Sequence, residues 1–253
     1  MLLTDTPNEA AAIQSAIEVI NYLGLDSFDK LDLPIICWAY NLLVREDVIY
    51  GADAWLVHAG QVGVARVRES IPYEGQKRFA IAHELGHWLL HKDITQAHLD
   101  GPEQLSDYKK SPIEIEANAF AAELLMPRDL FLAQFNDNKL DLKEIYALAS
   151  HIGVGPTAAL MRLLKLSRAN AVMVAHKDGI ANWYVRADGC QLPGVLPRSP
   201  VPTELEQLAK PDSFTDRLCT LNDWSPQAHE NWTMREQTYW VPEGPAITLL
   251  TAE

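Results

Sequence analysis

Cysteine is scarce in this chain, and so are the features that would place a protein outside the cell or in a membrane. The three cysteines, Cys37, Cys190 and Cys219, lie far apart and form no CxxC pair. The sequence therefore predicts neither a disulfide framework nor a zinc site built from thiolates. No apolar run is long enough to cross a bilayer, and residues 1–14 lack the basic and apolar segments of a signal peptide. We expect a cytoplasmic protein that makes no contact with a membrane.

Basic residues are also in the minority. The chain has 21 Lys and Arg against 34 Asp and Glu, which gives a formal net charge of −13 at pH 7. Proteins that bind a phosphate backbone need clustered Lys and Arg, so this balance excludes a general nucleic-acid binder. The pair of helices expected at 141–168 has too few basic residues for a DNA-binding surface: Lys143, Arg162, Lys165 and Arg168. The sequence thus argues against direct DNA binding.

What the chain does have is the composition of a globular protein. Hydrophobic residues make up 48% of its 253 residues and charged residues 22%, enough for one large domain or two small ones. Apolar residues at helical spacing predict four helices in the first half of the chain, over residues 7–23, 34–44, 75–91 and 112–126. Two further helices, separated by a glycine-containing turn, form the helical pair at 141–168. With the strands described next, the pattern predicts an α+β fold.

The β-prone segments lie in two regions. Residues 47–69 contain short runs separated by glycine-containing turns and predict a small antiparallel sheet, whereas the polar residues 92–111 predict a long loop that could act as a lid. After Arg168, AVMVAHKDGIANWYVRAD predicts a hairpin that turns at 177–179. Because the sequence pattern changes there from helical to β-prone, we place a domain boundary near 168. We expect residues 1–168 to form the first domain and 169–253 to form a C-terminal α+β domain that serves as a sensor or a partner-binding module.

A metal-binding motif lies in the third predicted helix, within FAIAHELGHWLLH. Residues four apart share one helix face, so His83 and His87 can direct ring nitrogens at one ion. Glu84 can stand beside that ion as a general base without being a ligand. An ordinary amphipathic helix would bury these groups at a cost that no ion offsets. Gly86, which weakens a helix, suggests a place where another backbone comes close.

The third ligand must come from elsewhere. The extended pattern HExxHxxGxxH fails, because the sequence has Leu90 and Asp93 at its last two positions, and no cysteine is near. The helix at 112–126 instead offers three glutamates: Glu114, Glu116 and Glu123. We favour Glu114 over Glu116, because Glu114 shares its helix face with small residues that permit a close approach. His91 lies one helical turn beyond His87, too far along to be an obvious ligand. Its two alternative roles are support of the metal site and simple packing.

The two motifs together, KRFAIAHELGHWLLH and EIEANAFAAELLMP, resemble the ImmA/IrrE family of zinc metallopeptidases. The clear resemblance covers about residues 45–130, and a weaker one continues through IGVGPTAALMRLLKL. It implies a zincin-like first domain that binds one Zn²⁺ through His83, His87 and Glu114, with Glu84 as catalytic base. It also implies a substrate such as a helix-turn-helix transcriptional repressor, cleaved in stress responses. The chain departs from the family pattern in having no convincing DNA-binding domain ahead of the peptidase.

Two functions from different classes remain open at this point. The first is a zinc-dependent endopeptidase in which Glu84 assists the attack of zinc-bound water on a peptide carbonyl. The second is a regulatory binding protein, a partner of a toxin or repressor, whose zinc site is not catalytic. An intact Glu84 favours the first, since a structural site needs no base and usually has four protein ligands. Deformylase-like hydrolysis would require a Gly-Cys-Leu segment that the chain does not contain.

Overall fold

The computed structural model describes residues 6–91, 111–135, 140–192, 197–225, 232–241 and 244–253. By contact, the chain divides into two compact units. The first contains the described residues of Met1–Phe131 together with Ile152–Gly155, and the second those of Leu132–His151 and Pro156–Glu253. These units differ from the predicted domains, because most of the helical pair at 141–168 falls in the second unit. The domain boundary near 168 stays a prediction.

The first unit begins with two helices that have well-formed ends. Helix α1 (Glu9–Leu23) is capped by the Asn8 side chain, which accepts the backbone N–H of Ala11, and ends at Gly24 in the left-handed conformation. Helix α2 (Leu33–Ala39) is capped by Asp32 and carries a proline in its first turn. A short 3-10 turn, Phe28–Lys30, lies between the two helices.

The prediction of a helix over 34–44 is wrong after residue 39. The helix ends at Ala39, Asn41 adopts a positive φ of 60°, and Leu42–Asp47 form strand β1. An apolar run as short as Leu42–Val44 has no period that distinguishes helix from strand. Asparagine tolerates the left-handed conformation that turns the chain between them, and pairing starts when Asn41 accepts the backbone N–H of Gly63.

The sheet that follows is mixed, which corrects the antiparallel prediction. Strands β2 (Ala54–Ala59) and β3 (Val62–Arg68) form an antiparallel hairpin, as expected. Strand β1, however, pairs with the other edge of β3 in parallel, so the strand order is β1-β3-β2. A central strand offers two edges, and the hairpin uses only one of them. The sequence pattern of β1 does not specify which edge it takes.

The described residues of the first part of the chain contain three more helices: α3 (Glu74–Leu90), α4 (Pro112–Leu125) and α5 (Arg128–Leu132). The predicted helices at 75–91 and 112–126 are thus confirmed to within a residue. Helix α4 packs against both α3 and α1. Fully buried side chains of α3 and α4 form the core of this region, among them Ala82, Leu85, Ala117, Phe120 and Leu124. The predicted loop lies outside the described residues, apart from Ser111.

The second unit contains helices and a five-stranded antiparallel sheet. The predicted helical pair is present as α6 (Leu142–Ile152) and α7 (Pro156–Leu166). The sheet has the order β5-β4-β8-β7-β6. Its strands are β4 (Ala171–Lys177), β5 (Ile180–Arg186), β6 (Ser213–Thr220), β7 (Thr233–Trp240) and β8 (Ala246–Ala252). Two single-turn helices, α8 (Thr203–Glu206) and α9 (Leu221–Trp224), lie in its connections.

The hairpin predicted after Arg168 is confirmed. Strands β4 and β5 pair antiparallel, and the chain turns at Asp178 and Gly179, both with positive φ. These two residue types tolerate the left-handed backbone that a tight hairpin turn requires. The described residues contain helices and two separate sheets, so the chain has the predicted α+β fold. In the part of the chain that the structure describes, no helix is long and apolar enough to cross a membrane.

Candidate metal centre

The HExxH motif lies in the second half of α3, on the side that the protein buries. Helix α3 begins after Tyr73 and ends where His91 leaves the helical conformation. Apolar residues bury one side of it, and Glu84 and His87 are buried with them, at 7% and 4% exposure. A histidine and a glutamate are rarely placed in such surroundings without polar partners or an ion. The position of these groups is therefore evidence of a site.

Helix α4 supplies the facing wall because it comes very close to α3. A Cβ atom added at Gly86 would lie 3.3 Å from the Cα and the carbonyl oxygen of Ala117 and 3.1 Å from a ring carbon of Phe120. The absence of a side chain at Gly86 thus allows the two helices to approach. This confirms the expectation that Gly86 is the point where another backbone passes.

Three side chains converge between the helices. The Nε2 atoms of His83 and His87 are 3.0 Å apart. Glu114 Oε1 lies 2.8 Å from His87 Nε2, and Glu114 Oε2 lies 3.3 Å from His83 Nε2. Among the described residues, these three form the group able to hold a metal ion, with all ligand atoms within 4.8 Å of one another. The structure thus brings together the residues predicted as ligands, although their role as ligands stays a prediction.

The three candidate glutamates of α4 have separate surroundings. Glu114 faces the two HExxH imidazoles. Glu116 instead contacts His91, whose Nε2 is 2.8 Å from Glu116 Oε2. Glu123 lies further along and accepts the backbone N–H of Arg128 at the start of α5. Helical phase separates Glu114 from the other two, which is the argument that favoured it.

Burial and mutual interaction shift the pKa values of the site. Burial raises the pKa of Glu84 to about 7, against a smaller opposite effect of His83. Burial also raises the pKa of Glu114, but the two adjacent imidazoles outweigh it and lower the value to about 2. Burial lowers the pKa of His87, whereas for His83 the hydrogen bond and charge of Glu114 outweigh burial and raise the pKa. Glu114 is therefore anionic, as a ligand must be.

The residues present fit a divalent metal such as zinc. Glu114 Oε1 is buried and has no hydrogen-bond partner among the described residues, although His87 Nε2 is close by. A buried oxygen left in this state has a large cost unless something else satisfies it. Ligand atoms of one zinc ion, each about 2.0–2.2 Å from it, must lie within about 4.4 Å of each other. The three observed separations satisfy that limit, and imidazole and carboxylate are ligands zinc accepts.

Further residues contact the Nδ1 atoms of the two imidazoles, on the side away from Glu114. The sequence pattern pointed to only some of these residues. Asn118 Oδ1 is 3.0 Å from His83 Nδ1, and His91 Nδ1 is 3.0 Å from His87 Nδ1. Asn118 shares a helix face with Glu114, so its spacing could have identified it. Glu116 also accepts the backbone N–H of Asn8, 108 residues away. No local sequence signal could have revealed that contact.

Comparison with known proteins identifies one family model and a structure of similar fold. Residues 73–164 match the family model Peptidase_M78, described as the IrrE N-terminal-like domain, which confirms the resemblance to the ImmA/IrrE family. A solved structure described as "Mycobacterium tuberculosis transcriptional regulator" is 17% identical, with a TM-score of 0.62. The match covers 96% of this chain and 76% of that one. At this identity the likeness shows a shared fold. No curated protein matches the chain.

Proposed function

We propose, on the premise that residues 73–164 form an IrrE N-terminal-like domain, that the chain is a zinc-dependent endopeptidase. The observation that carries the proposal is the convergence of His83, His87 and Glu114, with Glu84 buried on the same turn of α3. Three protein ligands would leave a position on a bound zinc ion for water or substrate, whereas a structural zinc site usually has four protein ligands. An arrangement of this kind is suited to metal-assisted hydrolysis and not merely to holding the fold together.

The chemistry divides between the ion and the protein. When bound, zinc is a Lewis acid that polarises a carbonyl and makes water a better nucleophile near neutral pH. Glu84 accepts a proton as water attacks the scissile carbonyl and delivers it to the departing amine. Glu114 contributes the negative charge of the ligand set, next to the buried imidazole of His87. Strands β1 and β2 form the two edges of the first sheet, and an extended substrate could add to one of them.

The proposed substrate is a regulatory protein such as a helix-turn-helix repressor. Two findings support a regulatory setting: the matched domain, and the description of the structurally similar chain as a transcriptional regulator. The second is support at the level of fold alone. In this proposal the C-terminal unit senses a signal or binds a partner, and the protein acts in the cytoplasm.

The test compares the wild type with Glu84→Gln. Each purified protein is loaded with zinc and incubated with candidate helix-turn-helix regulators from the same organism, and mass spectrometry identifies the products. Glu84→Gln should bind zinc as the wild type does and lose cleavage by at least about 100-fold, the size of effect that general-base catalysis supplies. Glu74→Gln is the matched control, because it makes the same change at an exposed position in the first turn of α3.

The same pair of proteins separates the two candidate functions. Full cleavage by Glu84→Gln would contradict the assignment of the base. If neither protein cleaves the regulator but both bind it with equal affinity, the chain is a regulatory binding protein with a non-catalytic zinc site. Loss of cleavage in Glu84→Gln alone supports the peptidase.

A further inference from the structure

A chain of polar contacts leads from His87 to the start of the first helix. His87 Nδ1 lies 3.0 Å from His91 Nδ1, and His91 Nε2 lies 2.8 Å from Glu116 Oε2. Glu116 Oε1 accepts the backbone N–H of Asn8 over 2.7 Å. His87 and His91 are almost fully buried, at 4% and 2% exposure. We call these four residues the His91 chain.

The order of protons along the His91 chain follows from which atoms can donate. An ionised carboxylate only accepts hydrogen bonds, so Nε2 of His91 carries a proton and donates it to Glu116. A neutral imidazole has one proton, so Nδ1 of His91 is then an acceptor. It must accept from Nδ1 of His87. This leaves the lone pair of His87 on Nε2, the atom that faces Glu114 and His83.

The opposite tautomer of His87 would donate from Nε2 to Glu114 Oε1, 2.8 Å away, but it would leave Nε2 unable to bind a metal and would not fit the contact with His91. With its proton on Nε2, His87 would present a lone pair from Nδ1 to the lone pair of His91 Nδ1 at 3.0 Å, in a buried place that water does not reach. The N-terminus of α1, where Asn8 lies, is also a favourable location for the negative charge of Glu116. The contacts on both sides of His91 therefore favour the same arrangement.

We propose that His91 and Glu116 are positioning residues that hold His87 in the tautomer with the proton on Nδ1, so that Nε2 is ready to bind a metal. The proposal rests on the proposed metal site and adds to it the source of its pre-organisation. His83 differs, because its Nδ1 faces Asn118, an exposed residue of the neighbouring helix. Carboxylates that orient a ligating histidine strengthen metal binding. Here the carboxylate acts through a second histidine.

The experiment uses the full chain in four variants: His91→Phe, His91→Gln, Glu116→Gln and, as control, His176→Phe. Phenylalanine preserves the shape of the ring but removes both nitrogens. Glutamine at 91 offers an amide oxygen to His87 and an N–H to Glu116, so it should restore part of the effect. Glutamine at 116 has a single acceptor oxygen for two donors. His176, also buried but in the second unit, controls for the loss of any buried histidine.

Two measurements are made on each variant. The first is the Kd for Zn²⁺, obtained by competition with a chromophoric chelator. We expect it to be about 10- to 100-fold weaker in His91→Phe and Glu116→Gln, closer to wild type in His91→Gln, and unchanged in His176→Phe. The second is the ¹⁵N NMR spectrum of the His87 ring in metal-free protein, at a pH where the imidazoles are neutral. The wild type should show the proton on Nδ1, and His91→Phe a mixture of tautomers.

The outcomes separate this proposal from the proposed function. Unchanged zinc affinity and an unchanged His87 tautomer in both His91→Phe and Glu116→Gln would overturn the role of the His91 chain. A wild type that binds no zinc would overturn the proposed function, while the NMR comparison would still decide the tautomer. A proton on Nε2 of His87 in the wild type would overturn the inference directly. If His91→Phe does not fold, Glu116→Gln provides both readouts.

Discussion

Gly86 and Ala117 face each other where helices α3 and α4 come closest. A Cβ atom at Gly86 would lie 3.3 Å from both the Cα and the carbonyl oxygen of Ala117, closer than most real Cβ contacts. Backbone atoms cannot swing aside as the end of a flexible side chain does. The separation of the two helices, and with it the separation of Glu114 from the HExxH imidazoles, therefore depends on a glycine at position 86.

Gly86→Ala should weaken the metal site while destabilising the protein only modestly. Alanine gains about 1 kcal/mol in helix propensity, but overpacking against Ala117 and Phe120 costs about 1–3 kcal/mol. We expect a net loss of about 1 kcal/mol in the free energy of unfolding and a weaker Kd for zinc. Denaturant unfolding and zinc competition measure the two effects.

Gly155→Ala is the control for that variant, since a Cβ atom there meets nothing within 4 Å. It should leave zinc affinity as it is in the wild type. If Gly86→Ala binds zinc as tightly as Gly155→Ala does, the close approach of α3 and α4 is not what sets the geometry of the site.

Zinc should stabilise the protein through Glu114 and not through Glu123. A ligand that binds only the folded state adds about 2.7 kcal/mol when its concentration is 100 times its Kd. We expect zinc to raise the Tm of the wild type, a chelator to reverse this, and Glu114→Gln to abolish the shift. Glu123→Gln should keep it, because Glu123 bonds to the backbone of Arg128. A full zinc shift in Glu114→Gln, measured by differential scanning fluorimetry, would remove Glu114 from the ligand set.

Local pattern was enough to predict the helices that carry the site. Helix α3 has a long apolar periodicity, and Pro112 and Pro127 bracket α4, so both were bounded to within a residue. Residues 42–44 were misassigned because a short apolar run has no distinguishing period. The parallel pairing of β1 with β3 was missed for a different reason. It depends on which edge of β3 remains available, and that is a property of the assembled sheet.

The residues of the site also fall into those that local spacing predicts and those that depend on the packed fold. His83 and His87 are one turn apart and Glu114 and Asn118 are one turn apart, so helical phase alone groups each pair. The environment of His91 depends on Glu116 and on the backbone of Asn8, which come from different parts of the chain. Such contacts exist only once the helices have packed. This is why the sequence left the role of His91 open.

Glu236 should be essential to the stability of the C-terminal sheet. It is fully buried, pairs with Arg217 over 2.5 and 3.0 Å, and accepts the indole N–H of Trp224 over 2.8 Å. Glu236→Ala would leave both donors without their acceptor, and breaking a buried pair costs about 3–5 kcal/mol. We expect a loss of that size in denaturant unfolding.

The matched control is Asp216→Ala on the neighbouring strand. Asp216 is 41% exposed, and its partner Arg235 keeps a second carboxylate, Asp141, at 2.9 Å. The loss there should be about 1 kcal/mol or less. Equal losses in the two variants would show that burial of Glu236 does not set its contribution.

His176 should make the C-terminal unit sensitive to acid. Solvent does not reach its side chain, which makes edge-to-face contacts with the rings of Trp224 and Trp240, and burial lowers its pKa to about 4. Nε2 is 2.9 Å from Thr248 Oγ1, and the charged neighbour is Glu206, whose Oε1 is 3.6 Å from Nδ1. Neither Nδ1 nor that oxygen has a hydrogen-bond partner among the described residues. Burial therefore outweighs the attraction of Glu206 for an imidazolium.

The sign of the effect follows from the lowered pKa of His176. The unfolded chain protonates this histidine as the pH falls below about 6.5, whereas the folded protein keeps it neutral until about pH 4. The free energy of unfolding should therefore fall between these two pH values, by roughly 3 kcal/mol at about 1.4 kcal/mol per pKa unit. Denaturant unfolding between pH 7 and pH 4 measures the decline.

The decline should be shallower in His176→Gln and unchanged in His151→Gln, which alters an exposed histidine. Parallel curves for the wild type and His176→Gln would show that His176 is not the source of the acid sensitivity.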